Sequence, residues 1–449
     1  MPDTQTLPQV LRQMDAERLR AYAENLRFYE GEQWPATVRR TQRRLVFNYA
    51  KAIIDKTTSY LMTGRSFVVD PEDGSPGAQA RARAAERALA EVHDAEQLDQ
   101  LDFDTELDAA ILGDAAYKVT WDAEERRVRV TSPDVQGLFA WWHGDDVARV
   151  WRVCSRYTVD AETAEALYGV KPARGARAAR RPGVEIIESW TAQDLEIWAD
   201  GARIDRRPNP YGFIPFVIYP NLREPKKFWG VSDIPVLREP VRELNRALSQ
   251  LSMILELSGN PIAVLENVTE SQDIAVQPGA VWELPERAKA YLLDLLQGGG
   301  VRLHAEYVDI IYRTLHDLGE SPRTAFGDNH TGLSGVALNV ELDPLLKKVA
   351  RKRLIRSAAY RRRNELILRI LERYGEPKQA FAPYRSRVVW GSVLPLDRSR
   401  LVADERALVE AGIHSRRRAA DELGVEDPEA EFRRAVEERE VLGVSTSSP

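Results

Sequence analysis

The pattern that most constrains this chain is a pair of long amphipathic helices on either side of a short insert. Apolar residues recur at helical steps across 232–257, and a second helical pattern covers 302–318. The insert between them has short strand patterns at 262–265, 274–276 and 280–284. With about 40 residues it is too small to cover both helices. Because an amphipathic helix must bury its apolar face, we expect neighbouring copies of the chain to cover these two. The stripe predicted for the first helix is Val236, Val241, Leu244, Leu248, Leu251 and Leu255.

A long polar loop and a very long helix follow the second of these helices. Residues 321–333 contain proline, glycine, aspartate and asparagine, and a connection of this length between helices is typical of a functional segment. The periodicity then predicts one helix over 335–374, with a kink at Pro344, whose ring removes a backbone donor. Glu365 is the only acidic residue between Leu345 and Leu371, a stretch with ten basic residues.

The remaining patterns indicate a mainly helical α+β chain. We expect helices over 7–30 and 48–62, a strand over 66–70 and an interrupted helix over 78–112, which is acidic between residues 91 and 108. A β-rich part runs from about 117 to 220, and one strand lies near 388–394. Its expected strands are 117–121, 127–131, 150–156, 184–191, 195–199 and 216–220. Two further helices are expected over 400–412 and 415–423, and a charged helical tail over 429–440.

Composition excludes several classes of protein. At 449 residues and 43% hydrophobic residues, the chain is expected to fold into several globular units. The net charge of −6 argues against a protein that grips DNA phosphates tightly. A single cysteine permits no disulfide within the chain, and neither a membrane helix nor a signal peptide is expected. These features suit synthesis in the cytoplasm.

No pattern predicts catalysis. There is no phosphate-binding Gly-x-x-x-x-Gly-Lys-Ser/Thr loop and no His-Glu-x-x-His motif, and the six histidines lack metal-ligand spacing. Cys154 lies beside Val153 in an apolar strand, so we expect it in the core. We therefore predict no catalytic, metal-binding or cofactor-binding residues.

Several local motifs, taken in order, resemble the portal proteins of tailed double-stranded DNA bacteriophages of the long-tailed type. The resemblance extends over about residues 20–425 and depends on the order of the motifs, since none is specific alone. The motifs are Phe28-Tyr29-Glu30-Gly31-Glu32-Gln33, Asn48 to Asp55 followed by Ser59-Tyr60-Leu61 and Gly64, Asn209 to Pro215, Gly230 to Ile234 with Asn245, and Gly332 to Leu338.

The resemblance implies a division into the regions of a portal subunit, assembled as a ring of about twelve copies. In the portal fold these regions are a wing, a stem, a clip and a crown. They correspond to a wing (1–225), a first stem helix (226–258), a clip (259–300), a second stem helix (301–320), a tunnel loop (321–333), a long kinked helix with a returning wing strand (334–400), and a crown with the C-terminal tail (401–449).

The resemblance also implies a passive channel for DNA packaging and ejection rather than an enzyme. The tunnel loop would touch double-stranded DNA weakly and without sequence preference. Its expected contact residues are Gly327, Asp328, Asn329, His330, Thr331 and Gly332. Expected partners are the large terminase subunit, a head–tail adaptor, and the major capsid and scaffolding proteins, with no membrane. The protein would be made in the cytoplasm of the host bacterium and act at the portal vertex of the virion.

Two interpretations of the charged stretches stay open. The basic stretch is either a solvated surface paired with carboxylates of a neighbouring subunit, with residues 91–108 as the candidate partner, or a contact for DNA in the capsid. The acidic run itself is either a solvated face, a subunit contact or a surface that repels DNA. Arg361, Arg362 and Arg363 are the residues predicted to lie at the subunit interface or against DNA.

Two other classes remain as alternatives. One is a structural adaptor or scaffold protein of a phage or gene-transfer particle, acting as a monomer or small oligomer. The other is a DNA-processing enzyme of the packaging machinery, which would need a nucleotide loop or clustered metal carboxylates. Ring formation distinguishes the first alternative from a portal protein, and a catalytic site would distinguish the second.

Overall fold

A computed structural model describes most of the chain, in two compact units. The residues described are 6–34, 44–170, 183–259, 262–266, 287, 289–293, 300–327, 335–393, 398–425 and 428–441. One unit spans Met1–Val389 and the other spans Trp390–Pro449.

The helices follow the predicted pattern closely, with breaks where single residues adopt a left-handed backbone. The expected helix 7–30 is two helices, because Asp15 has a φ of 57°, and Gln97 (φ 49°) divides the next long helical stretch in the same way. The helices are α1 Leu7–Gln13, α2 Ala16–Tyr29, α3 Tyr49–Leu61, α4 Pro76–Ala95, α5 Leu98–Leu112, α6 Ala161–Tyr168, α7 Ile234–Gly259, α8 Gly300–Leu318, α9 Gly335–Tyr374, α10 Arg398–Glu410, α11 Arg416–Glu422 and α12 Pro428–Val441.

The strands are β1 Arg65–Val69, β2 Asp114–Asp122, β3 Arg127–Thr131, β4 Leu138–His143, β5 Asp146–Val159, β6 Val184–Trp190, β7 Asp194–Ala199, β8 Ala202–Pro208, β9 Phe216–Pro220, β10 Ile262–Glu266, β11 Lys289–Leu293 and β12 Ser386–Trp390. Every predicted strand in the β-rich part is present, whereas β4, β8 and α6 were not predicted. The mainly helical, mixed architecture is therefore confirmed.

The β-rich part forms two antiparallel sheets. Strands β4 to β8 pair in sequence order, and β2 lies between β3 and β9 in a smaller sheet. Cys154 is buried in β5, as predicted. A third pair joins β1 to β12, so the end of the unit returns to its beginning.

The start of α7 is fixed to the junction of α5 and β2 by close backbone packing. A Cβ atom on Gly230 would lie 2.5 Å from the carbonyl oxygen of Gly113, so only glycine fits there. The Ser232 hydroxyl donates to the carbonyl of Ile111 (2.6 Å), and the amide of Gly230 donates to Asp114 Oδ1 (2.8 Å). The first turn of α7 thus has a fixed position relative to the sheets.

Helices α7 and α8 pack against each other, and β10 and β11 pair as an antiparallel ladder between them in sequence. Leu237, Val241 and Leu244 are buried on α7, but Val236 is 46% exposed. Leu255, at the other end of the predicted stripe, is 51% exposed, so the stripe is buried in its middle and open at both ends in the single chain. The covering of these ends by neighbouring copies stays a prediction. The other predicted strands of the insert, 274–276 and 280–284, lie outside the described residues.

Helix α9 has the predicted ends, Gly335 and Tyr374, and continues through Pro344. Leu345, Val349, Leu366 and Ile370 are buried along its length. The kink expected at Pro344 stays a prediction.

The C-terminal unit is a small helical assembly. Within it, α11 packs against both α10 and α12. Ser415 caps α11 by accepting from the amide of Arg418, and His414 contacts Glu405 at 2.8 Å. The guanidinium of Arg417 lies over the ring of Phe432, 4.6 Å from its centroid. The helices expected over 400–412, 415–423 and 429–440 are confirmed.

Candidate functional site: an anchored connection beside a buried charged layer

The segment predicted to have a function begins at the end of α8, and its described part is tightly held. His316 Nδ1 lies 2.6 Å from the carbonyl oxygen of Ser321, and its ring packs edge-on against Tyr312 and Phe326. A short 3₁₀ turn, Arg323–Phe326, follows, and Gly327 ends it with a φ of 88°. A positive φ suits glycine, so Gly327 sets the direction in which the segment leaves its base.

Helix α9 holds the same base from the other side. Lys348 Nζ donates to the carbonyl of Gly319 (3.0 Å), and Arg351 contacts both carboxylate oxygens of Glu320 at 2.7 and 2.6 Å. The segment ends where α9 begins, at Gly335. The two ends of the connection are therefore attached to α9, through Lys348 and Arg351 at its start and through the chain itself at Gly335.

Below this base, the inner side of α9 carries charged residues that are fully enclosed. Arg356 makes a two-pronged contact with Glu106 (2.7 and 2.6 Å), and Arg363 pairs with Asp102. All four side chains are inaccessible to solvent. Arg65 of β1 adds a second contact to Asp102, at 2.9 Å. The first two pairs bind α9 to α5, and the third binds β1 to α5.

A second part of the charged layer joins α9 to the start of α7. Lys352 Nζ lies 2.6 Å from Asp233 Oδ2 and donates to Asn221 Oδ1 (2.7 Å), while Lys348 Nζ lies 3.4 Å from Asp233 Oδ1. Arg356 also donates to the carbonyl of Asn221, at 2.5 Å. We call the eight residues together the charged layer: Arg65, Asp102, Glu106, Asp233, Lys348, Lys352, Arg356 and Arg363.

Electrostatics within the charged layer favour ionised carboxylates. Burial alone would raise the pKa of Asp233, but the charges of Lys348 and Lys352 hold that pKa well below its ordinary value. Burial lowers the pKa of Lys352, against the opposing charges of Asp233 and Glu106. Because a buried charge without a partner is costly, each pair in the layer constrains the position of α9.

His93 of α4 lies at the edge of the charged layer. Its Nε2 is 3.4 Å from a guanidinium nitrogen of Arg363 and 3.5 Å from Asn364 Oδ1, and its ring lies against Phe67. Burial and the charges of Arg363 and Arg65 lower the pKa of His93 to about 4, although Asp102 and the contact with Asn364 oppose the shift. The imidazole is therefore neutral at pH 7.

Polar residues from three of the sequence motifs meet beside α7. Asn245 of α7 donates to Gln33 Oε1 (2.7 Å), and Gln33 donates to Asn48 Oδ1 (2.8 Å). Asn48 in turn donates to the carbonyl of Tyr29, at 2.7 Å. These motifs therefore have a structural role, which is to attach the N-terminal helices to α7.

The predicted site residues have different outcomes. Gly327 is at the base described above, while Asp328, Asn329, His330, Thr331 and Gly332 lie outside the described residues. Arg361 and Arg362 are exposed on α9. Arg363 was predicted to lie at a subunit interface or against DNA, and this was wrong, because its guanidinium is buried against Asp102 of the same chain.

Sequence reasoning placed the basic residues of α9 at the surface and missed the charged layer. Lys352, Arg356 and Arg363 continue the helical spacing of Leu345 and Val349 and so occupy core positions. On α5, Asp102 and Glu106 occupy buried positions in the same way. Opposite charges within the apolar stripes of two helices are the signal that predicts such pairs.

Among the described residues, no group of three or more histidines, cysteines or carboxylates is placed to hold a metal ion. A search of the same residues finds no helix long and apolar enough to cross a membrane.

A family model described as phage portal protein, SPP1 Gp6-like, matches residues 9–441. No curated protein matches the chain significantly.

Proposed function

Because the chain belongs to the SPP1 Gp6-like family of phage portal proteins, we propose that its copies form a ring around a channel for double-stranded DNA. The family is structural rather than enzymatic, and it implies a ring oligomer with capsid and terminase partners at the capsid vertex. In this proposal about twelve copies surround the channel, through which DNA enters during packaging and leaves during ejection.

The outward face of α8 is the observation that carries the ring proposal. Leu303 and Ile310, seven residues apart and so on one side of the helix, are 69% and 60% exposed. Ile311 and Leu315 are buried in the core that α8 shares with α7. An exposed apolar face of this kind favours association. A repeated heterologous contact, α8 of one copy against α7 of the next, closes into a ring.

Residues 321–333 are proposed as the part of each copy that faces DNA. The fixed base formed by His316, Lys348 and Arg351 supports this placement, because it would hold a loop against the force of moving DNA. Weak contacts through backbone amides and small polar side chains such as Asn329 and Thr331 would suit a channel in which DNA slides. The net charge of −6 agrees with weak contact, since few phosphates would be neutralised.

The remaining regions are proposed to dock partners. The insert at 259–300 is proposed to bind the large terminase subunit and later the head–tail adaptor. The wing, residues 1–225 with the far end of α9, would meet the major capsid and scaffolding proteins. Residues 401–449 would form the crown. The protein would be made in the cytoplasm of the host bacterium.

Deletion of residues 328–332 tests the DNA-facing role. The variant should form rings as the natural chain does, since the anchored residues 316–327 stay in place. It should fill capsids with DNA much less efficiently in a packaging assay. A deletion of equal length at 175–179, between β5 and β6 in sequence, is the control and should package normally.

Full packaging by the 328–332 variant would remove the DNA-facing role from this segment while leaving the ring intact as a proposal. A chain that stays monomeric with its capsid proteins present would instead favour the adaptor function.

A further inference from the structure

Helices α5 and α9 both turn charged side chains into the charged layer. The charged residues on their outward sides have opposite signs, acidic on α5 and basic on α9. Residues two positions apart on a helix differ by about 200° and so lie on opposite sides. On α5, Asp102 and Glu106 point into the layer, which leaves Asp104 and Asp108 on the outward side, where both are exposed. On α9, Arg356 and Arg363 point into the layer. The outward side of α9 is therefore formed by the residues two positions away from them.

The outward side of α9 is basic with an apolar centre. Lys347, Leu354 and Arg361 follow one another at seven-residue steps, and Leu354 is 75% exposed. Lys347 pairs with Asp343 on the same helix, at 2.7 Å. Arg361 Nε donates to the carbonyl of Ser357, and no carboxylate of the described residues pairs with Arg361. Arg362 beside it is also exposed and pairs with Glu365 on the same helix. We call this surface the basic face of α9.

The outward side of α5 is acidic and has no cation of its own. Asp108 lies close enough to Asp104 and Asp134 for their charges to act on it, and no lysine or arginine of the described residues forms an ion pair with any of the three. Partial desolvation, followed by the charges of Asp134 and Asp104, raises the pKa of Asp108 to about 6. Unneutralised carboxylates at this density favour contact with a cationic surface. We call this surface the acidic face of α5.

We propose that the basic face of α9 in one copy docks on the acidic face of α5 in the next copy of the ring. The inference rests on the proposed ring, because a heterologous contact joins two different surfaces of the same chain and repeats around an axis. The two faces are different surfaces of one chain, as such a contact requires. Leu354 then lies at the centre of the contact with charges around it, the usual arrangement of a protein interface.

Charge reversal of each face tests the pairing. The first variant carries Arg361→Glu and Arg362→Glu, and the second carries Asp104→Lys and Asp108→Lys. Each alone should reduce the fraction of protein in rings by about tenfold or more, because like charges then meet at every contact. Thermal unfolding of each monomer should change little, since all four residues are exposed. Arg83→Glu with Arg87→Glu, two exposed arginines on α4, is the matched control and should assemble normally.

An equal mixture of the two variants gives the sharper result. The reversed α9 face of the first variant is acidic and fits the reversed α5 face of the second. The natural faces that remain fit each other as before. The mixture should therefore recover rings in which the two variants alternate, with equal numbers of each by native mass spectrometry.

Rings formed by either variant alone at the natural yield would overturn the pairing, and so would a mixture of the two variants that does not form rings. Intact rings of the first variant that fail only in packaging would also overturn it, and would indicate that the basic face of α9 contacts DNA. If the unaltered chain forms no rings under any condition, the proposed function fails instead. The two failures are thus distinguishable.

Discussion

The inner side of α9 and the outward side of α8 depart from the usual distribution of residues in opposite directions. Along α9, Lys352, Arg356 and Arg363 are charged and enclosed. Along α8, Leu303 and Ile310 are apolar and exposed. Charged side chains are seldom buried unless they are paired, and a row of exposed apolar side chains is typical of an interaction site.

The difference separates what folds the chain from what assembles it. The charged layer has its partners within one copy, so it is complete in the monomer and fixes α9 against α5, β1 and the start of α7. The face of α8 lacks a partner in the described part of the chain. We expect changes in the first region to alter the free energy of unfolding, and changes in the second to alter assembly.

Removal of one cation from the charged layer should have the largest effect. Arg356→Ala leaves Glu106 buried with only Lys352, 3.9 Å away, as a cationic partner, and we expect the free energy of unfolding to fall by about 3–5 kcal/mol. Urea unfolding followed by tryptophan fluorescence measures the change. The double variant Arg356→Leu with Glu106→Leu removes both charges and should recover more than half of the loss. A loss below about 1 kcal/mol for Arg356→Ala would show that the layer does not fix α9.

Charges placed on the exposed apolar face of α8 should have the next largest effect, and this effect should be on assembly alone. Leu303→Asp with Ile310→Asp places charges on the face that the next copy is expected to cover, at a cost of about 2 kcal/mol or more for each side chain no longer buried there. Native mass spectrometry should show monomers in place of rings. The urea midpoint should stay within error of the natural chain. A lower urea midpoint for this variant would show that Leu303 and Ile310 stabilise the monomer, which contradicts their assignment to assembly alone.

A smaller effect is expected from pH. In the unfolded chain His93 takes up a proton near its ordinary pKa of 6.5, but in the folded chain only near 4. The contribution of neutral His93 to the free energy of unfolding is present above pH 6.5. It is lost as the pH falls from 6.5 towards 4, by at most about 1.4 kcal/mol per pH unit. His93→Phe should keep the ring contact with Phe67 and flatten this slope.

The difference in the free energy of unfolding between His93→Phe and the natural chain, taken at each pH, isolates the contribution of His93. Burial raises the pKa of Asp114 to about 6, so Asp114 contributes a slope of opposite sign in the same range. His143→Phe, at an exposed position, is the control. Parallel pH profiles for the natural chain and His93→Phe would contradict the placement of His93 beside Arg363.

The smallest effect should come from an exposed pair at the base of the loop. Arg351→Ala removes the contact with Glu320, and both side chains are largely exposed. Surface ion pairs contribute about 1 kcal/mol or less. The urea midpoint should therefore move much less than for Arg356→Ala. An equal loss for the two variants would remove the distinction between buried and exposed pairs.

Much of the fold follows from the sequence, because helical periodicity is a local signal. Both ends of α9 were predicted, and so was the antiparallel pair of β2 and β3. Strand β8, Ala202–Pro208, was missed since its exposed, charged residues lack the apolar alternation of a buried strand. The close approach of Gly113 to Gly230 joins residues far apart in the chain, which no local pattern contains.

The candidate site was predicted less well than the fold. The loop base was located by its length, but the contacts of His316 and Lys348 that hold it were not expected. Arg363 was placed at the surface because a run of charges is usually a solvated face. Its helical spacing from Leu345 and Val349 indicates a core position, but its pairing with Asp102 on α5 depends on tertiary structure.

Native mass spectrometry combined with electron-microscope class averages of the purified protein decides whether its copies form a ring. We expect closed rings with an open centre, and twelve copies of a 50.8 kDa chain have a mass of about 610 kDa. A stable closed dimer without a channel, under conditions in which capsid proteins assemble, would contradict it.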